Sequence, residues 1–357
     1  MEFGFVFMGD INVHGDVRYA EDHGFSHGWL YDSQMLGSEV YASLALCAHE
    51  TNKIKLGPGV TNPKSRIAPL TACGMATLNS IAPGRAILGI GTGNTTRRTM
   101  GMPAAKVAEL EEHIKVCKGL FQRDEIVDYQ EGKRHRKIKF LNPDTDYINI
   151  DDKIPVYIAA SGPKVAQMAG RIADGVILFG AVDPAIIGWM VDNVRKGAKE
   201  AGRNPNDVYV VSMTAFYLTK TDEEIASRPV KEAVGPMVAS SSNIFALSCH
   251  HDPSLLPEEF RNEIVKFTGV YKEPNEPVET RHLKLYSGYL QQLKDEHEAI
   301  MSKEIIQATT LTGTKDEVIQ MIHKMKEAGV DQVAIQPIRP TREVVEQVAS
   351  EIMPEFN

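Results

Sequence analysis

Short apolar runs punctuate the chain at Phe3–Met8, His27–Tyr31, Lys53–Val60, Arg85–Ile90, Pro155–Ala160, Gly175–Phe179, Val208–Phe216 and Asp331–Gln336. Between them, apolar residues recur at helical spacing over Glu39–Glu50, Ala68–Ile81, Ala104–Phe121, Lys164–Ile172, Pro184–Ala201 and Asp316–Ala328. Val- and Ile-rich runs that alternate with amphipathic segments predict βαβ units and a parallel sheet. Roughly eight such units predict an α/β fold of the (β/α)8 TIM-barrel kind. An open doubly wound sheet in two domains is the alternative.

Helix punctuation agrees with this reading. Thr314 and Glu317 stand three apart, so hydroxyl and carboxylate can satisfy orphan amides reciprocally. Gly329 follows Ile322–Ala328 at the left-handed position after a helix. Two stretches break the rhythm. Gln122–Asp151 reads as a hairpin around Gln130–Gly132, and Lys220–Glu304 holds Pro229, Pro236, Pro253, Pro257, Pro274 and Pro277. The second is an insertion before the seventh helix, of the kind that forms lids or substrate pockets. With no repeat, low-complexity tract or linker, residues 1–357 read as a single domain.

Composition narrows the class. At 43% hydrophobic and 24% charged over 357 residues, the chain is neither disordered nor a coiled coil. A formal net charge of -8 argues against broad nucleic-acid or anionic-membrane binding. Apolar runs fall short of the ~18 residues that cross a bilayer, and MEFGFVFMGD lacks a basic leader region. Cys47, Cys73, Cys117 and Cys249 form no CxxC pair, so buried or half-buried free thiols in a reducing cytoplasm are expected.

Candidate chemistry gathers where strands end, the barrel face on which enzymes of this architecture react substrates. In Leu56-Gly-Pro-Gly-Val-Thr-Asn-Pro63, Gly59 permits close backbone approach, and Thr61 and Asn62 put polar atoms at the strand mouth. In Gly89-Ile-Gly-Thr-Gly-Asn94, glycines two apart differ from the dinucleotide fingerprint, no helix is expected to open, and the segment suits a cavity wall. In Ala160-Ser-Gly-Pro-Lys164, Pro163 fits the first helical turn and Ser161 can cap it; the helix start with Lys164 forms either an ordinary cap or a phosphate seat. Asp32, Ser33 and Gln34 follow the second strand, and Asp32 can serve as a cap or orient a ligand or proton. Cys249-His250-His251-Asp252 lacks metal-ligand spacing, and the basic run Lys133–Lys139 reads as a solvated face or a seat for an anionic cofactor tail. No nucleophile elbow is present.

Together the motifs at Leu56–Pro63, Gly89–Asn94 and Ala160–Lys164 resemble the luciferase-like class of flavin- and deazaflavin-dependent oxidoreductases. Locally they are most similar to the methylenetetrahydromethanopterin reductase group. The resemblance runs from Phe3 to about Gly180 and resumes at Leu311–Gln336. It implies a barrel with the cofactor at its C-terminal mouth and a non-prolyl cis bond at Gly59–Val60 behind the ring. It also implies phosphate contacts at Ser161, Gly162, Pro163 and Lys164. Asp32, Thr61, Asn62, Gly91, Gly93 and Asn94 would surround the ring and its chain, with Val60 and Ala160 beside them. Many F420-using members carry Asp-His after the second strand, and some carry Glu at the position of Asn94; this chain has Asp32-Ser33 and Asn94.

Two reactions fit the resemblance. The first, preferred because the Asp-His pair is absent, is oxygenation of a small organic substrate by reduced FMN from a separate flavin reductase. The second is hydride transfer with F420 and no oxygen, which the motif likeness favours. A barrel that binds flavin without turnover is the non-enzymatic alternative. Asp32, Ser33 and Gln34 are the catalytic candidates, no metal is expected, and the class implies a homodimer.

Overall fold

The computed structural model describes residues 1–123, 125–248, 254, 258–267, 275–338 and 341–356. Strands β1 (Glu2–Phe7), β2 (His27–Leu30), β3 (Lys55–Pro58) and β4 (Leu88–Ile90) come first. A hairpin of β5 (Val127–Glu131) and β6 (Arg134–Ile138) precedes β7 (Val156–Ala160), β8 (Gly175–Phe179) and β9 (Tyr209–Thr214). Strands β10 (Phe216–Leu218) and β11 (Leu311–Gly313) pair with each other across the base of the insertion, and β12 (Gln332–Ile335) is last. The main sheet runs β3-β2-β1-β12-β9-β8-β7-β4, every pair parallel. Each of its strands lies within one of the apolar runs, apart from the added Glu2.

Bridges Leu56↔Ala86 and Thr61↔Ile90 join β3 to β4 and close the ring. Thr61 N donates to Gly89 O at 3.0 Å, and Gly91 N donates to Thr61 O at 2.9 Å. Glycines make this approach possible. A Cβ on Gly57 would stand 2.0 Å from Ile87 O, and one on Gly89 would stand 2.1 Å from Pro58 O.

The barrel helices are α1 (His14–Asp22), α2 (Val40–Glu50), α3 (Ala68–Ile81), the short α4 (Asn94–Arg98), α5 (Val107–Leu120), α6 (Pro163–Ile172) and α7 (Pro184–Glu200). The insertion carries α8 (Arg228–Ser248), α9 (Glu258–Phe267), α10 (Arg281–Leu285), α11 (Asp295–Glu298) and α12 (Lys303–Thr309). Helices α13 (Lys315–Glu327) and α14 (Thr341–Gln347) complete the ring, with Thr314 and Glu317 forming the expected reciprocal cap. Among the described residues no helix is long and apolar enough to cross a membrane.

Inside the barrel, Val6, Trp29, Ile87, Tyr157, Ile177, Val211, Met213 and Ala334 fill the lumen. Trp29 Nε1 donates to Gln332 Oε1 at 3.0 Å, so the indole has its polar edge satisfied at 1% exposure. Truncating such a plug to alanine costs ~3–5 kcal/mol. A larger apolar layer between strands and helices forms the second core.

Several expectations are corrected. Helix α1 escapes the apolar pattern because only Val17 and Ala20 of it are buried. Helix α8 continues through Pro236, which reads as a breaker in sequence but is carried within a 21-residue helix. A helix does open after Gly89–Gly93: Gly93, at φ 78, turns the chain into α4. The basic hairpin follows α5, and its residues are not among those lining the cavity described below. Cys47 and Cys117 are buried but Cys73 is exposed on α3, while Cys249 and its His-His-Asp neighbours lie outside the described residues.

Candidate active site

Strand ends and the insertion enclose a cavity of about 430 Å3 at the C-terminal mouth. The peptide bond Gly59–Val60 is cis, at the position the resemblance implied. Both residues line the cavity, as do Gly91, Gly93 and Asn94 from the β4 end. The turn after β7 contributes Ala160, Ser161, Gly162, Pro163 and Lys164, and Ser33 enters from the β2 loop.

The other candidates lie elsewhere. Asp32 is 4% exposed beneath the loop, where its Oδ2 accepts from Thr61 Oγ1 at 2.5 Å and from Arg66 Nη1 at 2.7 Å. Arg66 also pairs with Glu39, whose carboxylate accepts from Ala42 N at 2.8 Å and caps α2. Burial pushes the Asp32 carboxyl above its usual range, against the Thr61 and Arg66 contacts that favour the anion. Asn62 is fully buried, and its Oδ1 accepts from the amides of Lys64 and Ser65 at 3.0 Å each. It shapes the loop rather than facing the cavity. Gln34 is exposed, donating to Met100 Sδ at 3.0 Å.

The capping position of α6 is Gly162, extended at φ -154. Pro163 has no amide to satisfy, which leaves Lys164 and Val165 presenting the helix's first N–H groups beside the cavity. An anion is stabilised at such a helix start.

Sequence reasoning missed part of the wall. Met8, Tyr31 and Phe179 are the last residues of runs already assigned to strands, and each lines the cavity. Asking which way a strand's final side chain points would have found them. Ile244 and Leu247 of α8, with Leu290, form the wall opposite the strand ends, and no sequence period ties them to the barrel. Arg98 of α4 is the charged addition.

The electrostatic character is one-sided. Arg98 and Lys164 are the charged residues among the described lining, and no carboxylate or imidazole joins them. Tyr31 donates its hydroxyl to Gln336, and burial raises its pKa well above the ordinary tyrosine value, so the phenol stays protonated. Among the described residues no cluster of three or more His, Cys, Asp or Glu could hold a metal.

A family model described as luciferase-like monooxygenase matches residues 13–332. A 5,10-methylenetetrahydromethanopterin reductase from Methanopyrus kandleri is 32% identical over 354 residues, covering 95% of this chain and 93% of that protein. One from Archaeoglobus fulgidus is 29% identical over 364 residues, covering all of both. Among solved structures, a coenzyme F420-dependent tetrahydromethanopterin reductase from Methanopyrus kandleri superposes with a TM-score of 0.69 at 25% identity over the whole of both chains.

Proposed function

The chain belongs to the luciferase-like monooxygenase family, and we propose that within it this oxidoreductase is an F420-dependent hydride-transfer enzyme. The observation that carries the reading is the end-to-end likeness to reductases, one of them F420-dependent by name. That likeness moves the preference from reduced FMN with oxygen to the deazaflavin alternative. The same relatives leave the non-enzymatic barrel without support.

The cavity suits a planar cofactor that carries phosphate. Gly91 presents bare backbone, since a Cβ there would meet Ala159 Cβ and Val60 Cγ2 at 3.2 Å each. Gly59 and Val60 would back the ring, Gly93 and Asn94 would flank it, and the amides and ammonium of Lys164 with Val165 would take the phosphate. When bound, reduced F420 would supply a hydride and so need no oxygen. The protein's own share is to hold ring and substrate face to face and to keep water out with the apolar wall of Ile244, Leu247 and Leu290.

No described lining residue is a carboxylate or imidazole that could pass a proton at neutral pH. This favours a substrate carbon that accepts hydride without prior protonation.

Paired anaerobic titrations with reduced F420 and reduced FMN, followed by oxygen, test the reading. The expected result is tighter binding of F420 and no oxygen-dependent intermediate. Tighter FMN binding with a transient on oxygenation would return the protein to the monooxygenases.

A further inference from the structure

Arg98 stands at the cavity with most of its hydrogen-bonding capacity unused. Its Nε donates to Asn94 Oδ1, which fixes the plane of the guanidinium. Among the described residues its two terminal amino groups meet no acceptor, and no carboxylate lies within ion-pairing distance. Arg66, half-buried like Arg98, spends the same groups on Asp32 and Glu39. Arg85 spends them on Thr51 Oγ1 and the carbonyls of Ile54, Ala48 and Thr51, at 2.9–3.0 Å. A half-buried guanidinium with an open fork is costly to leave unpaired and is matched in geometry to a carboxylate or phosphate.

Its surroundings describe the rest of the ligand. The insertion sets Tyr286 and Tyr289 beside Arg98, where burial raises both phenols' pKa above the ordinary tyrosine value against a smaller opposing pull from the guanidinium charge. The Tyr286 and Tyr289 rings lie 5.3 Å apart, and the Tyr289 hydroxyl accepts from Thr95 Oγ1 of α4 at 3.3 Å. This contact ties the insertion to the helix that carries Arg98. Leu290, Ile244 and Leu247 continue the same wall with apolar surface.

We propose that Arg98, oriented by Asn94, is an anion-recognition residue of this cavity, and that its ligand carries a carboxylate or phosphate on a flat apolar body. The inference rests on the cavity being the active site and deepens the functional reading by naming a substrate class. The anion can belong to the substrate or to the acidic tail of the cofactor, and the two sources separate experimentally.

Benzoate and benzamide differ in charge at nearly constant shape, so they serve as probes of the protein alone and of the protein loaded with F420. Wild type is expected to bind benzoate at least tenfold more tightly than benzamide. Arg98→Met should remove that preference, and Arg98→Lys, which keeps the charge and loses the fork, should restore part of it. Cofactor affinity is read in parallel with F420 and with its deazaflavin riboside, which lacks phosphate and tail. A tenfold loss for F420 in Arg98→Met with the riboside unchanged assigns the anion to the cofactor tail; an unchanged F420 affinity assigns it to the substrate. Equal binding of the two probes by wild type, together with F420 affinity unaltered in Arg98→Met, would overturn the proposal. Failure of wild type to bind F420 while it discriminates the probes would instead sink the functional reading and leave the anion site standing.

Discussion

Arg66 and Thr61 converge on one oxygen of Asp32: Arg66 Nη1 lies 2.7 Å from Asp32 Oδ2, the same oxygen that accepts from Thr61. The strand-end acid that looks poised to exchange a proton is thus a strut between the β2 loop, the β3 loop and the start of α2.

Asp32→Asn should therefore keep turnover within tenfold of wild type, where loss of a general acid costs about 10²–10⁴-fold. Steady-state rates decide between these. Arg66→Met is expected to do more harm to stability, because it strands a buried carboxylate, a change that costs about 3–5 kcal/mol when one partner of a buried pair is removed. Urea unfolding of the two variants should rank them in that order.

Gly93→Ala tests the bare-backbone wall. At φ 78 a side chain is strained, and its Cβ would stand 2.7 Å from Asn62 Cβ, against the side chain that organises the β3 loop. The expected outcome is a loss of about 1–3 kcal/mol in stability together with cofactor affinity weakened by about tenfold or more. Thermal unfolding and F420 titration measure both. Affinity unchanged in a folded variant would show that the wall does not contact the cofactor.

Acid should unfold the protein through buried imidazoles as well as carboxylates. Burial lowers the pKa of His113 from 6.5 to about 4, and it does the same for His27 and His297. Below 6.5 the unfolded chain binds protons that the folded chain refuses, so the stability these groups contribute is complete above that pH and falls as pH drops toward 4. Each contributes a slope approaching about 1.4 kcal/mol per pH unit inside that window. His113, whose Nε2 sits 3.1 Å from Thr71 Oγ1, is the cleanest to remove. Denaturation midpoints between pH 7 and 4.5 should show His113→Gln with a flatter slope, by about one proton.

Much of the frame was legible because barrel strands are buried on both faces and so appear as continuous apolar runs. Runs such as Gly175–Phe179 coincide with their strands to the residue. What escaped depends on long-range contact. Asp32 meets Arg66 from 34 positions away, and no local pattern announces that pairing. Helix α1 is mostly polar, since α2 and α14 cover only a narrow stripe of it. The wall of Ile244, Leu247 and Leu290 comes from an insertion whose docking against the mouth is fixed by tertiary contacts such as Tyr289 with Ser240 and Thr95.

The seam between β3 and β4 has a consequence for how this sequence can drift. Gly57 faces the carbonyl of Ile87, and Gly89 faces the carbonyl of Pro58, so neither strand can gain a side chain there without the other moving away. The two motifs flanking the seam are separated by some thirty residues of chain yet meet as halves of one joint. A change in one half succeeds only with a matching change in the other, so the segments are bound to a shared history. Their joint persistence would record the carpentry of the barrel wall even in a descendant that had abandoned the cofactor.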